Sequence, residues 1–324
     1  MSPPPRTALI FLNWRTPELT VAAVRSALHT ASCPETLRII VVDNASGDHS
    51  LAHFASELPG AEIVAMPENV GFARAMNAAL AQVTEPVAFL LNSDIEFKPG
   101  AIERLICTLE MEPRAAMVCP RLLRPDGSEQ AAVVPEPQIF WELTNRSLPR
   151  YLMRIPRDRP SAVPSVVGPC MAVRMEAVRP LGFLDERFFF FFEETDLCLR
   201  INRAGWRILY EPAAEVVHMQ GESANQRPVR ARVQFYTSRY RYFHKHAGSA
   251  PTVLLFIGIW ARLTLDLLLL PLAVLLTFGC RRKLRDKLYT QWRLWLWHMH
   301  LCRPAWGFEP ADWLTARRQA CPRD

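Results

Sequence analysis

No two cysteines of this chain stand in a C-x-x-C pair. The eight cysteines (33, 107, 119, 170, 198, 280, 302, 321) are scattered through apolar segments. That excludes a disulfide framework and points to buried, reduced thiols in a reducing compartment. No basic-then-apolar leader precedes the first apolar run; Met1 to Arg6 reads MSPPPR. The expectation is that the part that follows stays in the cytoplasm. Neither sign of charge dominates. The formal charge of +6 is mildly basic, which permits an anionic partner but chooses none. Half of the 324 residues are hydrophobic, which excludes a disordered chain. The length suits one sizeable α/β domain with an appendage.

What is present first is a run of short apolar segments with polar ends. Thr7 to Leu12 reads as a buried strand ending at Asn13. Thr16-Pro17-Glu18 supplies N-cap and first-turn chemistry for a helix through Leu28. Leu37 to Val42 is a second strand, ending at Asp43-Asn44, and a helix follows over 49–58. Ala61 to Met66 is a third, followed by Pro67-Glu68-Asn69-Val70-Gly71 and a helix through Leu80. Val87 to Leu91 is a fourth, ending at Asn92-Ser93-Asp94. This β-α-β-α-β-α-β order predicts a doubly wound, mostly parallel sheet. Ligands bind beyond the carboxyl ends of such strands. One polar strand end says little, but four in succession outline one crevice.

After residue 100 the pattern loosens. A helix over Ala101–Glu112 leads to a short strand at Ala116–Cys119. Residues 124–165 are rich in Pro and Arg and read as a surface excursion. Val163–Arg174 reads as one strand crossing Gly168-Pro169, with Ile208–Tyr210 and Glu215–His218 as two more. Phe188 to Phe192 are five consecutive phenylalanines, expected to lie under the sheet or to wall a pocket. Residues 229–246 form a basic amphipathic helix with Val229, Val233, Tyr236, Tyr240 and Phe243 on its apolar side.

The division predicted is 1–248 for the α/β domain and 249–324 for an apolar and basic helical tail. Val253 to Phe278 is long enough to span a bilayer, interrupted by Arg262 and Asp266, which are four apart and able to pair. Pro271 is expected to kink it. Arg281 to Lys287 follows as a basic cluster, then Trp292, Trp295 and Trp297 as interfacial aromatics. The tail reads as membrane-associating, lying in the interface or dipping in rather than cleanly crossing. The competing reading is a buried helical hairpin at an oligomer interface.

Taken singly, Asp94 is an ordinary solvated acid, His218 a structural histidine, and Glu193, Glu194 and Asp196 the dipole chemistry of a helix start. Together the motifs Asp43-Asn44-Ala45-Ser46, Asn69-Val70-Gly71-Phe72-Ala73-Arg74-Ala75-Met76-Asn77, Leu90-Leu91-Asn92-Ser93-Asp94 and Glu193-Glu194-Thr195-Asp196-Leu197-Cys198-Leu199-Arg200 tell a different story. In order and spacing they resemble glycosyltransferase family 2, and within it the bacterial rhamnosyltransferase-like members, over about residues 7–248.

The resemblance implies a GT-A fold, a nucleotide-sugar donor, a divalent cation (Mn²⁺ or Mg²⁺) and inversion at the anomeric carbon. It assigns Asp43, with Asn44, to the donor base, Gly71 to phosphate at a helix start, and Asn77 to a structural role or a place near the nucleotide. Asp94 matches the last acid of the metal-binding D-x-D. Asn92 replaces the first, which weakens the site. His218 matches a late metal ligand, and Glu194 the general base, with Glu193 orienting it. Asp196 is expected to cap its helix. Gly168 is expected to let a sugar approach the backbone. Arg227, Arg230 and Arg232 fall in a flap or on a solvated helix face.

The expected acceptor is a saccharide or lipid-linked saccharide of the cell surface, at the cytoplasmic face of a bacterial inner membrane. Nucleic acid is not an expected partner, and a homodimer stays open. A nucleotidyltransferase or a non-catalytic nucleotide-binding scaffold on the same fold is the alternative.

Overall fold

Burial on both faces makes three of the first four strands read as nearly unbroken apolar runs. In the computed structural model, which describes residues 7–144, 148–149, 153–219, 228–278, 280–303 and 306–308, the four are β1 (Thr7–Asn13), β2 (Leu37–Asp43), β3 (Glu62–Ala65) and β4 (Val87–Asn92). Helices α1 (Pro17–Thr30), α2 (Ser50–Glu57) and α3 (Gly71–Leu80) join them. The strands lie in the order β3-β2-β1-β4, every neighbour parallel. Ala8 to Phe11 of β1 and Ala88, Phe89 and Leu91 of β4 have no exposed surface. β3 is the edge and is mostly exposed. Because the strands run in parallel, their polar carboxyl ends share one rim.

The second half of the sheet is mixed. It contains β5 (Ile95–Phe97), β6 (Ala115–Leu123) and β7 (Glu129–Gln130), with β8 (Val133–Val134) pairing β10 (Ser165–Val166) apart from it. Then come β9 (Ser161–Ala162), β11 (Cys170–Arg174) and β12 (Arg207–His218). Helices α4 (Ala101–Met111), α5 (Ile139–Leu143), α6 (Met175–Val178) and α7 (Glu193–Arg203) intervene. The sheet continues β4-β11-β6-β12-β5, with β11 antiparallel to both neighbours and β12 parallel to β6. The parallel pattern therefore holds for the first four strands and gives way afterwards.

Several sequence expectations change here. The single strand over 163–174 is two short ones, β10 and β11, and Pro169, which cannot donate to a ladder, lies in the break between them. The two strands near 208 and 215 are one, β12, with its register shifted between Glu211 and Glu215. Pro212 lies in that shift, and the Glu211 carboxylate takes up the Ala213 amide at 2.9 Å and the Thr108 hydroxyl at 2.8 Å. Thr16 caps no helix with its side chain; its hydroxyl bonds Ser93 Oγ at 2.8 Å. The cysteines divide: 119, 170 and 198 are buried, whereas 33, 107 and 280 are exposed, and all are free thiols.

The chain forms two compact units. The first takes Met1–Glu136, Ser147–Phe188 and Glu193–Ser223; the second takes Pro137–Arg146, Phe189–Phe192 and Ala224–Asp324. The second is helical, with α5, α8 (Pro228–Ala247), α9 (Ser249–Leu276) and α10 (Arg282–Met299). Four of the five phenylalanines, Phe189–Phe192, belong to the helical unit, while Phe188 is buried in the first. Phe192 meets Phe235 at 5.3 Å and Tyr242 at 5.5 Å, and the Phe190 carbonyl accepts from Ser238 Oγ at 2.7 Å, all within the helical unit. Phe191 and Phe192 adopt left-handed φ of 67° and 69°, a sparsely populated conformation for such side chains.

The three tryptophans also part company. Trp297 is fully buried, Trp295 donates to Thr264 Oγ1 at 3.0 Å, and Trp292 alone is 48% exposed. Asp266 accepts from Gln291 at 2.7 Å, and among the described residues it forms no ion pair with Arg262. Pro271 sits inside α9, which runs on to Leu276.

Arg239 on α8 is 1% exposed and pairs with the buried Glu142 carboxylate of α5, its guanidinium 5.2 Å from the Tyr236 ring. Removing one partner strands the other charge in the interior. Arg239→Ala is expected to destabilise the helical unit by about 3–5 kcal/mol, whereas a double Arg239→Met, Glu142→Leu variant should recover most of that loss. Urea unfolding followed by helical circular dichroism checks both.

Candidate active site

Asn13 organises one side of the rim. The β1–β2 register sets it beside Asp43. Its amide nitrogen reaches Asp43 Oδ1 at 2.7 Å, Ser46 Oγ at 3.0 Å and Ser50 Oγ at 3.1 Å. Its oxygen accepts from Thr20 Oγ1 at 2.9 Å. Asp43 also takes the Ser46 hydroxyl at 2.5 Å and the Ser46 amide at 3.2 Å, so this buried carboxylate is held in one orientation. Asn44 braces the next strand end: its nitrogen donates to Asn69 Oδ1 at 3.0 Å, and its oxygen accepts the Val70 amide at 3.0 Å. Gly71 starts α3 with φ of 78°, where a side chain would be strained, and its own N–H is taken by Asn69 Oδ1 at 3.1 Å. Asn77 spends its amide elsewhere, donating to the Leu184 carbonyl at 2.8 Å and accepting from the Leu184 amide at 3.1 Å. It therefore clamps the 184 loop.

The structure brings Asp94 and His218, 124 positions apart in sequence, together. β5 starts directly after Asp94 and pairs antiparallel with the end of β12, so that Ile95 faces His218. The Asp94 carbonyl accepts the Met219 amide at 3.0 Å, and His218 Nε2 lies 3.4 Å from Asp94 Oδ1. Both side chains are buried. The far ring nitrogen, Nδ1, sits 3.0–3.2 Å from the two amide atoms of Gln130. Gln130 had no motif to mark it; it arrives through the β6–β7 hairpin, where it pairs Leu122. A Gln130 oxygen accepting from Nδ1–H leaves the neutral ring with its lone pair on Nε2, toward Asp94. Asn92 lies at the same strand end, its backbone N–H donating to the Pro169 carbonyl at 3.0 Å.

That carbonyl links the two halves of the site. Gly168 precedes it, and a Cβ placed there would stand 3.4 Å from both Cβ and Cγ of Glu194. The side chain that comes close to Gly168 is thus Glu194, in the first turn of α7. Glu193 is 5% exposed. One carboxyl oxygen of each glutamate is buried without a hydrogen-bond partner. Burial pushes the Glu193 carboxyl well above its ordinary range, and the neighbouring Glu194 charge pushes it further. Burial likewise raises Glu194, to about 7, against the pull of the Glu194 and Thr195 amides. Asp196 is not a cap: it is fully buried in α7 and pairs with Arg200 at 2.7 Å. Arg230 and Arg232 are exposed on the first turns of α8. Gly221-Glu222-Ser223 and Arg227 lie outside the described residues.

A doubly wound half-sheet continued by a mixed one, with carboxylates at the strand ends, is the architecture of GT-A glycosyltransferases. The mannosyltransferase PcManGT of Pyrobaculum calidifontis, solved with GDP-Man and Mn²⁺, superposes with a TM-score of 0.57 at 17% identity over 95% of this chain and 89% of its own. GalNAc-T7, solved with UDP, GalNAc and Mn²⁺, gives a TM-score of 0.53 at 15% identity over 66% of this chain and 43% of that one. The glycosyl transferase family 2 model matches residues 13–182, and the chain belongs to that family. It is similar to the N-acetylglucosaminyl-diphospho-decaprenol L-rhamnosyltransferase of Mycobacterium tuberculosis, 27% identical over 234 residues, 65% of this chain and 76% of the relative. It is also similar to the pre-mycofactocin glycosyltransferase of the same species, 32% identical over 184 residues, which are 56% of this chain and 37% of that protein.

The raised Glu194 pKa has a stability consequence. An acid whose folded pKa lies above its unfolded value loses stability as pH climbs between the two, from about 4.5 to about 7. Glu194→Gln is therefore expected to raise the thermal midpoint, and by more at pH 8 than at pH 4. Scanning calorimetry at both pH values checks the sign.

Proposed function

We propose that this protein is an inverting glycosyltransferase. It would move a sugar from a nucleotide-sugar donor to a lipid-linked saccharide acceptor, with Glu194 as general base. The observation that carries the reading is the pairing of two carboxylate sites at one sheet edge. Asp94 stands with His218 at the ends of β4 and β12. Glu194 lies over Gly168, next to the Pro169 carbonyl that binds Asn92.

Direct displacement at an anomeric carbon needs one carboxylate on the acceptor side to take the hydroxyl proton as that oxygen attacks. A group titrating near 7, with an unpartnered oxygen, suits that work. Glu193, held protonated by burial, would keep a second negative charge away from it. The donor's base would meet Asp43, whose orientation Asn13 and Ser46 fix in advance. Its phosphates would lie toward the α3 start. Asn44 and Asn77 support this side by holding the 69–71 turn and the 184 loop.

Asp94 and His218 fit a divalent cation. One carboxylate and one imidazole leave positions for phosphate oxygens and water, as Mg²⁺ and Mn²⁺ sites beside nucleotides do. Asn92 adds a neutral amide where a second acid would add charge. Among the described residues no group of three or more His, Cys, Asp and Glu forms a complete protein cage, so donor and cation would bind together. When bound, the cation supplies charge neutralisation to the departing diphosphate.

The mycobacterial relative's name specifies L-rhamnose and an N-acetylglucosaminyl-diphospho-decaprenol. An L-rhamnose donor and a polyprenyl-diphosphate-linked acceptor are the first pair to test, at the cytoplasmic face of a bacterial inner membrane, with the helical unit as membrane attachment.

Glu194→Gln is expected to lower kcat by about 10²-fold or more while donor affinity stays within a few-fold. Turnover close to that of the unaltered enzyme would remove Glu194 from the base role. Asp94→Ala should abolish the Mn²⁺ dependence of donor binding in calorimetric titrations. Free nucleoside diphosphate, not pyrophosphate, should appear as the product, which separates glycosyl transfer from nucleotidyl transfer.

A further inference from the structure

α9 is the one described helix long and apolar enough to cross a bilayer. We infer that it does not cross: α9 and α10 lie together as a hairpin in one leaflet of anionic phospholipid. This rests on the membrane attachment proposed above and specifies its form.

The apolar surface of α9 is one-sided along its second half. Leu265, Leu268, Leu269, Leu272, Leu275 and Leu276 are 57–82% exposed. Their spacing keeps them on one stripe of the helix. Leu255, Ile259, Leu263 and Leu270 form the buried side. A helix surrounded by lipid has no such division to make, whereas a helix lying in an interface needs it.

α10 folds back along α9. Gln291 donates to Asp266 at 2.7 Å, and the Trp295 indole donates to Thr264 at 3.0 Å. The far end of α9 and the start of α10 therefore travel together. That end carries Arg281, Arg282, Lys283, Arg285 and Lys287, all exposed, against one acid, Asp286, which pairs with Arg282 at 3.6 Å. A crossing α9 would carry this cluster through the hydrocarbon, which is costly for every charge. Lying in the plane leaves the cations among headgroups and the leucine stripe in the acyl region.

Between the helices runs an apolar groove of about 490 Å³, lined by Leu267, Pro271, Arg285, Leu288, Tyr289 and Trp292. Its apolar walls match a lipid chain, and the exposed cations at this end of the hairpin match an anionic head. The cations select the occupant: neutral lipid or a second copy of this basic surface would leave them unmatched.

The test uses the full chain. It should sediment with phosphatidylcholine vesicles containing phosphatidylglycerol and not with phosphatidylcholine alone. Replacing the five cations by glutamine, or Leu268 and Leu272 by aspartate, should weaken that binding by about tenfold or more. Sidedness is read from native thiols. Cys33 and Cys107 in the first unit and Cys280 at the hairpin end are all exposed. In sealed membrane vesicles from expressing cells, a membrane-impermeant maleimide should label all three from the same side, as peptide mass spectrometry would show. Labelling of Cys280 from the opposite side overturns the inference and leaves membrane attachment standing. Equal binding to neutral vesicles also overturns it. Absence from both kinds of vesicle overturns the inference and the attachment together. A lipid-free dimer that Leu268→Asp dissociates, without vesicle binding, gives the stripe to a second copy and overturns it as well.

Discussion

Two carboxyl groups are buried side by side at the start of α7, and each keeps one oxygen without a partner. Folding gains nothing from that arrangement, because an unsatisfied buried acid costs free energy. The surroundings hold it in place nonetheless. Gly168 lies against Glu194, where a Cβ would stand 3.4 Å from its side chain, and Pro169 ties this turn to Asn92 on the neighbouring strand. Two left-handed phenylalanines precede the pair, held by aromatic contacts and by the bond from Ser238 to the Phe190 carbonyl. Backbone strain and desolvated carboxyl groups gathered at one place are what the proposed base role rests on.

The opposite side of the rim is built on a different principle. There the side chains of Asn13, Asp43 and Asn44 all have partners, and Asn13 is the hub that fixes Asp43 before any ligand arrives. A satisfied network gives rigidity for recognition. An unsatisfied carboxyl gives reactivity. Asp94 and His218 stand between these two, with Gln130 orienting the imidazole from behind.

Much of this was legible in the residues. The parallel half-sheet followed from four apolar runs alternating with helical periods, because strands buried on both faces leave an unmistakable pattern. The polar strand ends followed from the same reading. The second half was less readable, since its strands are short, antiparallel in part and interrupted by Pro164, Pro169 and Pro212. Gln130 was invisible because its role comes from a two-residue hairpin strand, not from a local motif. For Asn77 a structural role and a place near the nucleotide both stayed open; its amide holds the Leu184 backbone, a long-range contact that no spacing encodes. Trp297 and Asp266 were read from composition as interfacial and as an ion-pair partner. Tertiary packing against α10 and its end decided otherwise.

The central claim is that a single acceptor-side carboxylate drives direct displacement at the sugar carbon. The stereochemistry of transfer tests it most directly. Proton NMR of the product formed in the first turnovers, with a donor of known anomeric configuration, should show that configuration inverted. Retention would require a second displacement at the same carbon and would contradict the assignment of Glu194 as a base.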